Sequence, residues 1–82
     1  MIKHDEIDQA QLIEQIKAGK LLLGGNKKLK IYGTLTCKSG KRMLRKNRVF
    51  FESEEEAITH GYRPCGHCMR KAYLVWKADQ TN

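Results

Sequence analysis

Three cysteines limit most tightly what this chain can become. Cys65 and Cys68 form a Cys-x-x-Cys pair inside Gly61-Tyr62-Arg63-Pro64-Cys65-Gly66-His67-Cys68, and Cys37 stands alone upstream. At that spacing a tight turn brings two thiolates to one side of a tetrahedral zinc ion. Cys37 can then clamp the other half of the chain onto the same ion. A chain of 82 residues buries only a modest core and often needs such a staple. An odd cysteine count argues against a framework made only of disulfides. The competing possibility is that the three are plain thiols packed as small hydrophobes in a domain without metal.

Charge supplies the second constraint. The formal charge is +7, from 16 basic and 9 acidic residues, and it is unevenly spread. No Asp or Glu lies between Gln15 and Phe51, while Asp5 to Glu14 and Glu52 to Glu56 hold most of the acids. Such segregation predicts one strongly positive face, the footprint of a polyanion binder. Lys38, Lys41, Arg42, Arg45, Lys46 and Arg48 surround Cys37 and the loop after it, and are the candidate contacts to nucleic-acid phosphates. The amino terminus, Met1-Ile2-Lys3-His4-Asp5, lacks the apolar core of a secretory signal, and no apolar run is long enough to cross a bilayer. A reducing cytoplasm, with thiols free for metal, is therefore expected. No serine, histidine and acid arrangement and no phosphate-binding glycine loop points to catalysis on a small-molecule substrate.

Hydrophobic periodicity predicts a single small α+β domain over 1–82 with about three strands and three helices. Asp5 or Asp8 can cap a first helix carrying Leu12, Ile13 and Ile16, ended by Gly19. Leu21-Leu22-Leu23 reads as a strand, Gly24-Gly25-Asn26 as a turn, and Lys28 to Tyr32 as the second arm of a hairpin. Thr34 to Asn47 reads as a basic loop carrying Cys37, and Arg48-Val49-Phe50-Phe51 as a third strand. Ser53 with Glu56 forms a capping-box pattern for a middle helix that Gly61 stops. Met69, Ala72, Tyr73 and Trp76 recur at helical spacing, giving a final helix packed on the sheet. Tyr32, Phe50, Phe51, Tyr62, Tyr73 and Trp76 are expected in the core rather than on bases.

Several of these residues together resemble a known family. Leu44-Arg45-Lys46-Asn47, Phe50-Phe51, Ala57 and Gly61-Tyr62-Arg63-Pro64-Cys65 with Cys68 are similar to the amino-terminal metal-binding domain of Ada, the bacterial DNA methyl-phosphotriester repair protein. The likeness is strongest over 32–68, and 1–31 reads as a helix and strand extension. It implies a small α+β domain in which four cysteines hold one zinc and one of them accepts a methyl group from DNA. In the family the first pair is spaced Cys-x-x-x-Cys, with the acceptor first. Cys65 and Cys68 match the last two ligands and Cys37 the second, so the acceptor position falls on Gly33. Placing Cys37 at the acceptor position instead would put the missing ligand at Lys41. That register needs a larger deletion before Asn47, whereas the Gly33 register needs one inserted residue and is preferred.

The metal set expected is therefore Cys37, Cys65 and Cys68 around zinc, with the fourth ligand unassigned among His4, His60, His67, water or a second chain. Arg45 matches the Arg of the family's Leu-Arg-x-Asn pattern, and Arg63 is expected to brace the turn or the zinc thiolates. The leading expectation is a zinc-bound, DNA-binding accessory or regulatory module without methyl transfer. Two alternatives stay open. One is a sacrificial methyl acceptor using Cys37, a single-turnover DNA repair protein. The other is a zinc-structured or metal-free interaction module for a protein or RNA partner, and a protein partner or a homodimer stays open as well.

Overall fold

The chain is seen in a computed structural model that describes residues 1–37 and 43–80. Strands β1 (Ile2–Lys3), β2 (Leu23–Asn26), β3 (Ile31–Thr34), β4 (Arg48–Phe51) and β5 (Arg63–Pro64) build one sheet. Helices α1 (Gln9–Lys17), α2 (Glu54–Thr59) and α3 (Arg70–Gln80) surround it, with 3-10 turns at His4–Glu6 and Arg45–Asn47. The sheet order is β1-β4-β2-β3-β5. All pairings are antiparallel except β3 with β5. The expected α+β architecture holds. The three strands anticipated are β2, β3 and β4; β1 and β5 are two-residue edges too short to leave a pattern in sequence.

The hairpin is present, but its turn lies elsewhere than expected. Gly24, Gly25 and Asn26 belong to β2, and residues 27–30 make the turn. Asn26 organises it: its side-chain oxygen accepts from the Lys28 N–H at 2.9 Å and the Leu29 N–H at 3.1 Å, and its carbonyl from the Lys30 N–H at 2.8 Å. An asparagine closing the chain on itself in this way replaces the glycine turn. Lys30 takes a left-handed φ of 58° to complete it, so the second arm begins at Ile31, not Lys28.

Register explains the two glycines. Gly25 faces Tyr32 on one neighbour and Val49 on the other, which places all three on one sheet face. That face carries the fully buried Tyr32, Val49 and Phe51, covered by Ala57 of α2 and by Tyr62. The Phe51 and Tyr62 rings meet edge to face with centroids 4.9 Å apart. A β-carbon at Gly25 would sit 2.9 Å from Phe51 Cε2, so only glycine lets the aromatic lie flat on the strand. Gly24 faces Gly33 and Phe50 on the opposite side. There Phe50 packs with Leu12 of α1 and with Leu21, flanked by Ile2, Ile7, Ile16 and Leu35.

The helix ends follow the local sequence. Asp8 occupies the cap position of α1, though its side chain makes no capping bond, and Gly19 leaves the helix at φ 75°. In α2 the Ser53 hydroxyl accepts from the Glu56 N–H at 3.1 Å, and the Glu56 carboxylate accepts from the Glu52 N–H at 3.1 Å. Gly61 at φ 83° ends α2. Its N–H bonds Ile58 O and the Tyr62 N–H bonds Ala57 O, a Schellman closure that drops Tyr62 into the core.

Tyr32, Phe50, Phe51 and Tyr62 are buried as expected. Tyr73 and Trp76 are not; they lie half-buried on α3, stacked with centroids 5.9 Å apart. Among the described residues no helix is long and apolar enough to cross a membrane.

Candidate metal centre

Each cysteine is delivered by a different local device. Cys65 follows β5, and its N–H bonds Tyr32 O at 2.7 Å, extending the parallel pairing by one residue. Cys68 closes the next turn, where the Met69 N–H returns to Cys65 O at 3.1 Å and begins α3. Cys37 leaves β3 through a turn in which its own N–H reaches Thr34 O at 3.2 Å. The two segments meet because β3 and β5 are adjacent and parallel. Cys37 and Cys65 sulfurs lie 3.9 Å apart, and the three sulfurs all lie within 4.8 Å of one another.

This spacing fits zinc. Four donors at tetrahedral angles, each about 2.3 Å from the ion, put sulfurs about 3.8 Å apart. Backbone donors already face the sulfurs: the Thr34 N–H points to Cys68 Sγ at 3.3 Å and the His67 N–H to Cys65 Sγ at 3.4 Å. Such bonds favour the thiolate form that binds metal. Burial, the largest influence, raises the Cys68 pKa, the Thr34 donors oppose this, and the neighbouring Cys37 and Cys65 add to it. Three thiols crowded together and partly dried therefore favour an ion that takes their protons' place. Zinc, when bound, keeps the sulfurs deprotonated and ties the loop after β3 to the start of α3.

Gly33 lies against this cluster. A β-carbon built there would sit 2.7 Å from Cys68 Sγ and 3.2 Å from Cys65 Cβ. A side chain at position 33 would thus point straight at the thiols. Because Gly24 faces Gly33 across the sheet, neither position adds a side chain beside the sulfurs, and the surface there opens into a cleft of about 560 Å³. Leu35, Phe50, Arg48, Arg63, His67 and Tyr73 are among its walls.

None of the histidines joins the sulfurs as a ligand group. His60 Nδ1 lies 2.8 Å from Glu56 O on the exposed end of α2. His67 is exposed on the cleft wall. His4 stands edge-on to Phe50 at 5.4 Å, with both of its ring nitrogens buried.

The basic residues divide into three groups. Lys38, Lys41 and Arg42 lie outside the described residues. Arg45 is exposed and donates to His4 O at 3.3 Å and Ile7 O at 3.5 Å, tying the amino-terminal segment to the 3-10 turn. Lys46 is exposed, while Arg48 is half-buried on the cleft. The Lys27 N–H bonds Asn47 O at 2.7 Å, so the lysine-rich hairpin turn abuts the Arg45–Arg48 segment. Sequence reasoning missed that juxtaposition, which only the true turn position reveals. Arg63 lies over α3: its guanidinium carbon is 5.4 Å from both the Tyr73 and Trp76 ring centroids, and it donates to Pro64 O at 3.2 Å.

Comparison with known proteins agrees with this geometry. No curated protein sequence matches the chain. The solved DNA methyl phosphotriester repair domain of E. coli Ada superposes with a TM-score of 0.58 at 22% identity, covering 80% of this chain and 76% of that one. The methylated N-Ada/DNA complex superposes with a TM-score of 0.56 at 24% identity, over 76% of this chain. The chain spans half the length of the protein in that complex (50%). The family pattern described as the metal binding domain of Ada matches residues 7–70, from the start of α1 to the start of α3. The chain belongs to that zinc-binding family.

Proposed function

We propose that this chain is a zinc-held module that binds duplex DNA through its phosphates and transfers no methyl group. Cys37, Cys65 and Cys68 are the ligands in this reading. The observation that carries it is the sorting of charge along β4. Arg48 begins that strand beside the hairpin lysines, and Glu52 follows its far end. The hairpin lysines and Arg48 therefore sit at one end of β4 and Glu52 at the other, about 13 Å apart at the rise of an extended chain, with Asp5 and Glu6 of the first 3-10 turn the acidic groups beside the basic end. Lys28, Lys30, Lys46 and Arg48 contribute to the positive end, and Lys38, Lys41 and Arg42, outside the described residues, are further candidate contacts. Side chains of this kind grip the backbone of a duplex with little choice of sequence.

The absence of methyl transfer rests on Gly33. The cluster has three sulfurs, and the position whose side chain would aim at them has none to offer. With one thiolate fewer, the remaining sulfurs share less excess negative charge and are weaker nucleophiles. Titrating a fluorescent duplex at two salt concentrations tests the binding. About five phosphate contacts lower the affinity about 500-fold between about 50 and about 200 mM salt. Binding absent at low salt, or unmoved by salt, refutes the reading. Mass spectrometry after incubation with methyl-phosphotriester DNA tests the rest: one added methyl on Cys37, which is half-buried on the cleft, would establish the sacrificial acceptor instead.

A further inference from the structure

Three sulfurs leave a four-coordinate ion one donor short, and no side chain among the described residues stands in the place. The three ligand atoms form a group that no fourth His, Cys, Asp or Glu among the described residues joins. Residues 38–42 and 81–82 contain none of those residue types, so they cannot hide the missing ligand. Gly33 abuts the sulfurs so closely that a β-carbon there would meet Cys68 Sγ at 2.7 Å, and the same glycine lines the cleft.

We infer that the zinc of this chain keeps an exchangeable fourth position beside Gly33, and that a small thiolate from solution occupies it through the cleft. The inference rests on the zinc reading and is independent of DNA binding. Sulfur is the donor that completes the all-thiolate set of a closed zinc site. Arg48 and Arg63 on the walls favour an anion over a neutral donor, and Leu35 and Phe50 offer apolar surface to its carbon body. When the thiol binds, its proton goes to solvent, its sulfur forms the new bond to the metal, and a bound water leaves. No oxidation state changes.

Cobalt(II) in place of zinc makes the coordination visible. The full chain is loaded, metal is counted per chain, and mercaptoacetate is titrated in, with imidazole and a tenfold protein dilution run in parallel. The expected result is a saturable rise of about one third in the sulfur-to-cobalt charge-transfer band, from three sulfurs to four. It is unaffected by dilution and larger than the response to imidazole. The Gly33→Cys variant, where it folds, starts at the higher intensity and ignores added thiol. One cobalt per chain with no thiol response overturns this inference and leaves the zinc reading intact. A four-sulfur band in thiol-free protein that fades on dilution overturns it in favour of a second chain's cysteine. A stronger response to imidazole overturns the assignment to a thiolate, and failure to bind cobalt at all overturns the metal reading itself.

Discussion

Replacing Gly25 by alanine, and separately its neighbour Gly24, probes the register on which the whole sheet depends. A β-carbon at position 25 would lie 2.9 Å from Phe51 Cε2, 3.1 Å from Val49 Cγ2 and 3.2 Å from Ile31 O. None of the three can retreat easily. Phe51 and Val49 are fully buried, the Phe51 ring is wedged against Tyr62, and the third atom is strand backbone. Forcing a methyl group into such a site costs about 1–3 kcal/mol. At Gly24 the nearest atoms are Leu35 Cδ2 at 3.7 Å and Val49 O at 3.8 Å, ordinary contact distances. There alanine gains about 0.5 kcal/mol by restricting the unfolded chain. The two variants should thus differ by about 1.5–3.5 kcal/mol, or at least about 6 °C in Tm for a domain of this size. Urea unfolding at a fixed saturating concentration of zinc measures the difference, because zinc binds the folded state and would otherwise shift the midpoint. A turn at Gly24-Gly25-Asn26 would leave both positions in the open. Equal stability of the two variants, or Gly24→Ala the weaker, would refute the strand assignment.

Other consequences can be measured alongside. Ser53→Ala removes the cap of α2 and should cost about 1 kcal/mol in thermal unfolding, with zinc content unchanged. The His4 pKa is lowered from its usual 6.5, first by burial, with the Gln9 side chain opposing, Arg45 and Arg48 adding to the effect, and Asp5 opposing. The unfolded chain therefore takes up this proton first as pH falls, so stability drops from about pH 6.5 down to the folded pKa and levels off below it. His4→Phe, which keeps an aromatic edge on Phe50, should remove that part of the pH dependence; an unchanged profile would show that His4 is solvated. Arg63→Met should cost about 1 kcal/mol and speed hydrogen exchange in α3, since the guanidinium no longer lies over Tyr73 and Trp76.

Much of this architecture can be read from the residues, and the exceptions share a cause. Arg48–Phe51 is recognisable as a strand because its aromatic and β-branched run is bounded by basic loop and acidic helix. Ser53, Glu56 and Gly61 mark both ends of α2, since capping and left-handed closure are local events. Gly24 and Gly25 mislead because glycine is usually a turn residue. At Gly25 it is demanded by a ring from another strand, as at Gly33 by the thiols, and both are long-range facts, whereas Gly24 has room for a β-carbon. β1 and β5 are two residues each and carry no periodicity at all. Tyr73 and Trp76 repeat at helical spacing, yet Arg63 claims their faces, and an arginine over a ring leaves no trace in a hydrophobic pattern. At the metal centre the Cys-x-x-Cys turn is legible by itself, whereas Cys37 joins it only because β3 and β5 run side by side.

That convergence is best tested at Cys37, the one ligand brought from outside the final turn. Zinc counted per chain by native mass spectrometry, across a chelator titration, should give one ion for the wild type. For Cys37→Ala it should give an ion lost at far lower chelator concentration, together with looser packing of β3 against β5. An ion held by the Cys37→Ala chain as firmly as by the wild type would contradict the account.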